Sequence, residues 1–350
     1  MSQRRRFGVG VAGTGFGREV IMPAIQHADG FAVAAVCSGS LTNAQAAAEV
    51  FNAGCATDDF DELLGSDGVD VVVIATPPAL HRPMTLAALE AGKHVICEKP
   101  MALTVAEAEE MAAVAAAAGT VSVIDHEQRY LPSNRQFHRL VADGYLGELR
   151  YLDVRVCLPL TTDASLPFAS LSWRDDVAGG GGLLSGIFSH YIDLMCLSFG
   201  DVASVAGFLS TAVTSKPFPV GSGQEGHGPV TTDDCVAASG VLENGAPFSL
   251  SGSWSIHHGV SLRVGAYGSE GTLMMSGPDR LLGARAGEAE VSPIESQYPL
   301  PDGTEGHVGA FVHLLDDVAA VLEGHEASGH YATFDDGVVV QRVIDTIRSV

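Results

Sequence analysis

The 350-residue sequence predicts an α/β chain in two parts. Residues 1–128 read as a domain built on a doubly wound parallel sheet, and 129–350 as an α+β domain with a large, mostly antiparallel open sheet. Three observations carry that reading. Short apolar runs alternate with helix-patterned segments through the first third, as repeated β-α units require. A glycine-rich turn directly follows the first of those runs. Beyond Tyr130 the alternation stops, and strand-like runs dominate instead.

Composition bounds the function. With 46% hydrophobic and 17% charged residues, the chain has ample material for a buried core. Nineteen Lys and Arg against 42 Asp and Glu leave a net charge of −23, which repels a phosphate backbone or an anionic bilayer over most of the surface. Nucleic acid and membrane are therefore not expected partners. Cys37, Cys55, Cys97, Cys157, Cys196 and Cys235 are scattered, with no C-x-x-C spacing, and suit the reduced thiols of a cytoplasmic protein. Arg4-Arg5-Arg6 before Phe7 to Ala12 imitates a secretory leader, but the apolar run is short and enters a glycine turn, so it is read as the first strand. No segment elsewhere reads as long and apolar enough to span a bilayer.

In that strand Val9 and Val11 alternate, and two glycine patterns overlap at its end. Gly8-x-Gly10-x-x-Gly13 is a literal dinucleotide pattern. Gly13-Thr14-Gly15-Phe16-Gly17-Arg18 is an imperfect one, yet it has a strand before it and a helix, Glu19 to Ala28, after it, which is the context the fingerprint needs. Gly13 makes the tight turn, and Gly15 lets the backbone approach a pyrophosphate at the helix N-terminus. Arg18 stands at the third glycine's place, with Gly17 compensating from the position before. Phe31 to Cys37 is the second strand and ends in Ser38-Gly39-Ser40, where a carboxylate for the ribose hydroxyls is usual in NAD enzymes. Small hydroxyl residues leave room for a 2′-phosphate, so between NADP and NAD the reading leans to NADP, although no Arg or Lys in residues 41–45 pairs with it.

A helix through Asn43 to Phe51 and an acidic connector, Asp58 to Glu62, lead to Val69 to Ala75, the strongest strand. It ends in Thr76-Pro77-Pro78 with His81 heading the next helix. Ala75, Thr76, Pro77 and His81 are candidates for the nicotinamide side, capping being the plainer role for His81. Gly92 to Cys97 gives a buried strand with Glu98-Lys99-Pro100 at its mouth, where open α/β sheets bind ligands. Pro100 restricts Lys99 to extended backbone angles, although the tripeptide alone also fits a surface ion pair. An alanine-rich helix, Thr104 to Ala118, and a strand, Val121 to Asp125, complete the first half.

After Arg129 and Tyr130 come a helix, Asn134 to Asp143, and a strand, Leu149 to Leu158. Further strands are expected at Val202 to Leu209, Cys235 to Leu242, Phe248 to Trp254, Val260 to Tyr267 and Thr272 to Met275. Pro159 to Ser172 and Ser215 to Thr231 read as loops over a site. Trp173-Arg174 precede the run Gly179 to Gly182, which brings backbone close to something. Past Leu184 a helix sets His190 and Asp193 one turn apart on one face, so the carboxylate can orient the imidazole; a core histidine fits the same pattern. His257 and His258 fall on opposite faces of a strand and cannot chelate one ion together, and no metal site is expected.

The glycine turn, Thr76-Pro77-Pro78 with His81, Glu98-Lys99-Pro100, Arg129-Tyr130-x-Pro132, the glycine run before His190-x-x-Asp193, and Gly268-x-x-Gly271 occur in one order. This ordered set resembles the glucose–fructose oxidoreductase / inositol dehydrogenase / MocA family across essentially the whole chain, and Ala332 to Gly337 with Gln341 is similar to the family's closing helix. The resemblance implies a Rossmann domain, then a sheet domain whose open face makes a homodimer or homotetramer. It implies an NAD(P)-dependent dehydrogenase or reductase acting on the secondary alcohol or ketone of a sugar, keto-sugar or cyclitol. The family's lysine falls on Lys99, which would hydrogen-bond the reacting oxygen, and its histidine on His190, which would exchange the hydroxyl proton with Asp193 in support. Glu98, Arg129, Trp173 and Arg174 join the cofactor-binding candidates. Dehydrogenases of the inositol type carry an aspartate four residues before this histidine, where this chain has Gly186, and Pro78 stands where many relatives have asparagine. Gly186 and Arg18 keep open a non-catalytic regulatory protein of the same fold that senses a dinucleotide or a sugar. A hydrolase reading lacks a nucleophile constellation at recognisable spacing.

Overall fold

The computed structural model describes residues 6–259, 261–277, 279–328 and 330–349. Arg4 and Arg5 of the leader-like run, Val260 at the head of an expected strand, and Val350 lie outside the described residues. Contacts divide the chain into two compact units, one holding the chain to Leu131 together with Leu300–Val338, the other Pro132–Pro299 together with Val339 onward.

The first unit opens with β1 (Phe7–Ala12), a π-helical turn (Gly17–Ile21) that runs into α1 (Met22–His27), β2 (Phe31–Cys37), α2 (Leu41–Phe51) and β3 (Cys55–Thr57). It continues through α3 (Phe60–Gly65), β4 (Val71–Ile74), α4 (His81–Glu90), β5 (His94–Glu98), α5 (Val105–Ala118) and β6 (Ser122–Asp125). The strands lie in the order β6-β5-β4-β1-β2-β3, all parallel. β4 is buried at every residue, as a central parallel strand covered on both faces must be. Ser40, Asp59 and Thr104 cap α2, α3 and α5 with their side chains and so fix where those helices start. Strand order reverses between β1 and β4, which makes the carboxyl edge there the natural ligand crevice. β3 escaped the sequence reading because three residues are too few to show a period.

The second unit holds α6 (Pro132–Ala142), β7 (Leu149–Cys157), α7 (Ser189–Phe199), β8 (Val202–Ser210), β9 (Ser215–Pro217) and β10 (His227–Pro229). Then come β11 (Cys235–Leu242), β12 (Pro247–Ser253), β13 (Ser261–Gly268), β14 (Gly271–Ser276), β15 (Leu281–Arg285) and β16 (Ser292–Pro293). Eight strands form one sheet, β16-β15-β14-β13-β7-β12-β11-β8, antiparallel except where β7 meets β12. Phe188 and Ile192 pack with Phe137, Phe248, Leu250 and Val264 in its core. Ser215 to Thr231, expected as a loop, contains the ribbon β9–β10. His257 and His258 sit on an exposed loop after β12 rather than on a strand. The helical run Val177–Phe199 corrects the expectation that no segment suits a bilayer: it has the length and apolarity, and 67% of its apolar window is buried, as in the core helix of a globular unit.

The chain then returns. α8 (Gly306–Leu322) buries Ala310, Phe311, Leu314, Leu315 and Val318 among residues of β1, β2 and α1. β17 (Ala332–Thr333) adds an antiparallel edge to β6, and α9 (Phe334–Arg348) starts in the first unit and ends in the second. The expected division into 1–128 and 129–350 is thus corrected: residues 300–338 belong with the first unit, because the apolar stripe of α8 completes that unit's core.

Candidate active site

At the end of β1 the glycine turn has the geometry of a phosphate cradle. Gly13 has φ +109°, and a Cβ there would collide with the Ala75 carbonyl oxygen, so only glycine fits. A Cβ on Gly17 would lie 3.1 Å from Val11 Cγ1, while Arg18 is exposed. Gly17 therefore supplies the close helix–strand approach that the displaced third glycine was expected to give. Gly15 has no atom within 4 Å of its Cβ position, leaving open backbone ahead of the helical turn. That open stretch fits a dinucleotide's pyrophosphate. The Thr14 hydroxyl meets that of Ser38 at 3.0 Å, and Ser40 is occupied as the α2 cap. Gly39 has no atom within 4 Å of its Cβ position, and Phe16 packs edge-on against His307.

One and two strands further along the same edge, after β4 and β5, lie the other turns. His81 was expected at the cofactor; the structure buries it completely, with Nδ1 2.9 Å from the Pro100 carbonyl oxygen and Nε2 2.8 Å from that of Thr76. Both ring nitrogens are occupied, so His81 is a strut tying the Thr76-Pro77-Pro78 turn to the Glu98-Lys99-Pro100 turn. Burial lowers its pKa against the pull of those carbonyls, with Lys99 also lowering it. Ala75 and Pro77 are half-buried, and the Lys99–Pro100 peptide is cis. Lys99 is half-buried between the buried Glu98 and Pro100.

Around Lys99 the structure sets Glu98 beside acids that no sequence motif marks. Glu98 and Asp125 are register neighbours at the ends of β5 and β6, 7% and 0% exposed. Burial is the chief cause that lifts the Glu98 carboxyl to about 7 and Asp125 well above the usual carboxylate range. Glu127, 1% exposed, pairs through Oε1 with Nδ1 of His307 at 2.7 Å, and that bond raises the histidine's pKa. His307 enters from the first turn of α8, 180 positions away, where no sequence motif points to it. The Arg129 guanidinium is buried against the carbonyls of His330 and Tyr331 and lies 3.5 Å from Asp336, so it anchors the returning chain.

In the second unit His190 and Asp193 are buried on α7, 5% and 2% exposed. A π-helical turn, Leu184–Phe188, leads into that helix, and a Cβ on Gly186 would touch the buried Trp254 ring at 3.5 Å. What the glycine run approaches is the protein itself: side chains at Gly181 and Gly182 would collide with the Arg174 carbonyl and the Asp233 carboxylate. Asp233 receives the Leu184 N–H at 2.8 Å, and Arg348 donates to the Ser185 hydroxyl at 2.7 Å, so the start of the His190 helix is held from distant parts of the chain. The Arg174 guanidinium lies over the rings of Trp173 and Phe168 at 4.7 and 4.9 Å. Beside it, Lys216 and Asp175 form a buried ion pair of 2.6 Å.

Comparison with known proteins agrees with this geometry. Residues 7–126 match a family model described as an oxidoreductase family with an NAD-binding Rossmann fold, and residues 134–274 match the GFO/IDH/MocA C-terminal domain. An uncharacterized oxidoreductase of Synechocystis is 32% identical over 281 residues, covering 80% of this chain and 74% of that protein. Glucose-fructose oxidoreductase domain-containing protein 1 of Mus musculus is 32% identical over 362 residues, covering 97% and 89%. Among solved structures, levoglucosan dehydrogenase in complex with NADH and L-sorbose superposes with a TM-score of 0.87 at 26% identity, over 98% of this chain and 96% of that one.

Proposed function

We infer the function from one premise: the chain belongs to the glucose–fructose oxidoreductase / inositol dehydrogenase / MocA family and is an NAD-binding oxidoreductase related to sugar dehydrogenases. From that footing we propose that it moves a hydride between a nicotinamide and the secondary alcohol or ketone of a sugar, keto-sugar or cyclitol. The observation that carries the proposal is the half-buried Lys99, presented at the carboxyl edge of the sheet whose glycine turn is open at Gly15. A bound nicotinamide supplies the hydride donor or acceptor. Lys99 donates a hydrogen bond to the reacting oxygen as charge grows there, and His190 exchanges the hydroxyl proton with Asp193 in support. A relative that binds NADH and L-sorbose supports a polyhydroxylated substrate. A cytoplasmic homodimer or homotetramer, joined through the open sheet face, completes the proposal.

For the coenzyme we favour NAD over NADP, against the lean that Ser38-Gly39-Ser40 suggests. β3 pairs with β2, and the Ser38 N–H donates to the Thr57 carbonyl at 3.1 Å. The exposed Asp58 and Asp59 therefore stand beside the end of β2, and carboxylates absent from β2 itself are supplied by its neighbour. The Cys37 thiol reports their field: burial first, then Asp59 and Asp58, raise it to about 11. Negative charge there suits ribose hydroxyls and repels a 2′-phosphate.

Titration with NADH and NADPH, followed by cofactor fluorescence and then by a panel of sugars, keto-sugars and cyclitols, tests both parts. Tighter NADH binding with a substrate-dependent change in nicotinamide absorbance is expected. Preference for NADPH overturns the coenzyme assignment, tight binding without turnover across the panel favours the sensing protein, and no binding of either overturns the whole.

A further inference from the structure

Resting on the reading of Lys99 above, we propose that Glu98 and Asp125 share one proton and act as positioning residues for Lys99, their single residual charge orienting its amine. The geometry forces the sharing. The two side chains stem from register neighbours on adjacent parallel strands and are almost wholly buried. Oε1 of Glu98 and both oxygens of Asp125 lie buried without an N–H or O–H donor. Two ionised carboxylates in that setting would repel each other with no solvent to screen them, so one proton resides between them and Asp125 donates it to Glu98. The other Glu98 oxygen, Oε2, accepts the backbone N–H of Lys99 at 3.1 Å, which fixes the pair to the residue it serves.

The charged groups that act on the pair are few and all come from this edge. Lys99 favours its ionised form, Glu127 from the turn after β6 opposes it, and His307 from α8 is held by Glu127. On its own strand the pair's neighbour is the Cys97 thiol, which burial raises and which stays neutral. A net charge of one from two carboxyls thus faces the Lys99 ammonium. A second proton entering the pair on acidification removes that counter-charge, and the amine loses the partner that orients it. In this role the pair acts through Lys99.

Infrared titration of the whole protein, with Asp125→Asn and Glu98→Gln alongside, tests the shared proton without any substrate. A protonated-carboxyl C=O stretch is expected in the wild type at neutral pH, lost in Asp125→Asn and shifted in Glu98→Gln. No such band at neutral pH, or a band indifferent to both substitutions, overturns the proposal. In turnover, the acid limb of the kcat profile is expected to move up in Asp125→Asn, where the hydrogen bond that the protonated Asp125 donates to the ionised Glu98, and that lowers its pKa, is lost or weakened. An acid limb unmoved in both variants also overturns it. Retained NADH binding certifies folding, and where a variant fails to fold the wild-type titration decides alone. Lys99→Ala separates the two readings: normal turnover in it defeats the role given to Lys99 while the infrared band stands, whereas a missing band defeats the shared proton while the role of Lys99 stands.

Discussion

Around the glycine turn, most of the residues that set the geometry are chain neighbours or lie one β-α unit away: Gly15 and Gly17 in one turn, and Thr14 with Ser38, 24 positions apart, with the Ala75 carbonyl against Gly13 as the contact from further along. Around His190 the comparable restraints come from afar, with Asp233 49 positions from Leu184 and Arg348 163 positions from Ser185. The first arrangement is fixed by local strand–turn–helix geometry and changes little when distant residues change. The second is assembled by tertiary contacts, so a single side chain far along the chain sets where the helix of His190 begins. Substitutions in the two regions should therefore fail differently, the first losing chemistry with the fold intact and the second losing the fold.

The largest expected effect belongs to the first region. Lys99→Ala should lower kcat by about 10²–10⁴-fold, the range for losing a positioned proton donor, with NADH affinity unchanged within a few fold. Steady-state kinetics beside fluorescence titration checks it. A parallel loss of cofactor binding would blur the contrast, because Lys99 would then be part of the cradle.

Second in size is Lys216→Met in the second unit. The Lys216–Asp175 pair is buried on both sides, 6% and 3% exposed, and Lys216 also donates to the Phe168 carbonyl at 2.9 Å. Removing one partner strands a buried carboxylate and should cost about 3–5 kcal/mol in urea denaturation, part of which a second change, Asp175→Asn, restores. A cost near zero would mean that the ribbon β9–β10 is not pinned by this pair, and the proposed fragility of the second region would be wrong.

Legibility followed the same line. Gly13, Gly15, Gly17 and Lys99 were readable because each sits at the end of a buried strand whose apolar run announces it. His81 and Arg129 were visible as residues but not as struts, since their partners are carbonyl oxygens, which leave no trace in a sequence. Asp125 and His307 carry no motif; only strand register and the return of α8 bring them to Lys99's edge. The short strands β3, β9, β10, β16 and β17 were invisible because two or three residues cannot show a period of two. The glycine run was legible as close approach, but what it approaches, Arg174 and Asp233, is settled by tertiary structure.

The third prediction uses pH to probe the first region's stability rather than its chemistry. Glu98 titrates near 7 when folded against 4.5 when free, so the folded protein binds the extra proton between those values. Its contribution to stability is complete below pH 4.5 and falls as pH rises through 7, by up to about 3 kcal/mol at roughly 1.4 kcal/mol per unit. Glu98→Gln should remove that share of the slope, so that urea midpoints of wild type and variant converge in acid and separate above neutral pH with the variant higher. The opposite sign would mean that Lys99 compensates the charge fully when folded.

The smallest effect is the most informative about His190. Gly186 lies in the π-helical turn before α7 with an ordinary φ, and an added Cβ would rest 3.5 Å from the Trp254 ring, a normal contact. Gly186→Ala should therefore be neutral or stabilising by about 0.4–1 kcal/mol, because alanine loses less backbone freedom on folding. Gly186→Asp adds the carboxylate that inositol-type dehydrogenases carry, at about 1–3 kcal/mol for burying a polar group against the indole. If turnover in the aspartate variant matches that of the alanine variant, Asp193 suffices as the acidic partner of His190 and the loss of the family's aspartate is compensated within α7. If the aspartate raises kcat while KM stays fixed, His190 is under-supported in the natural chain, and the second region was shaped around Trp254 packing at the expense of rate.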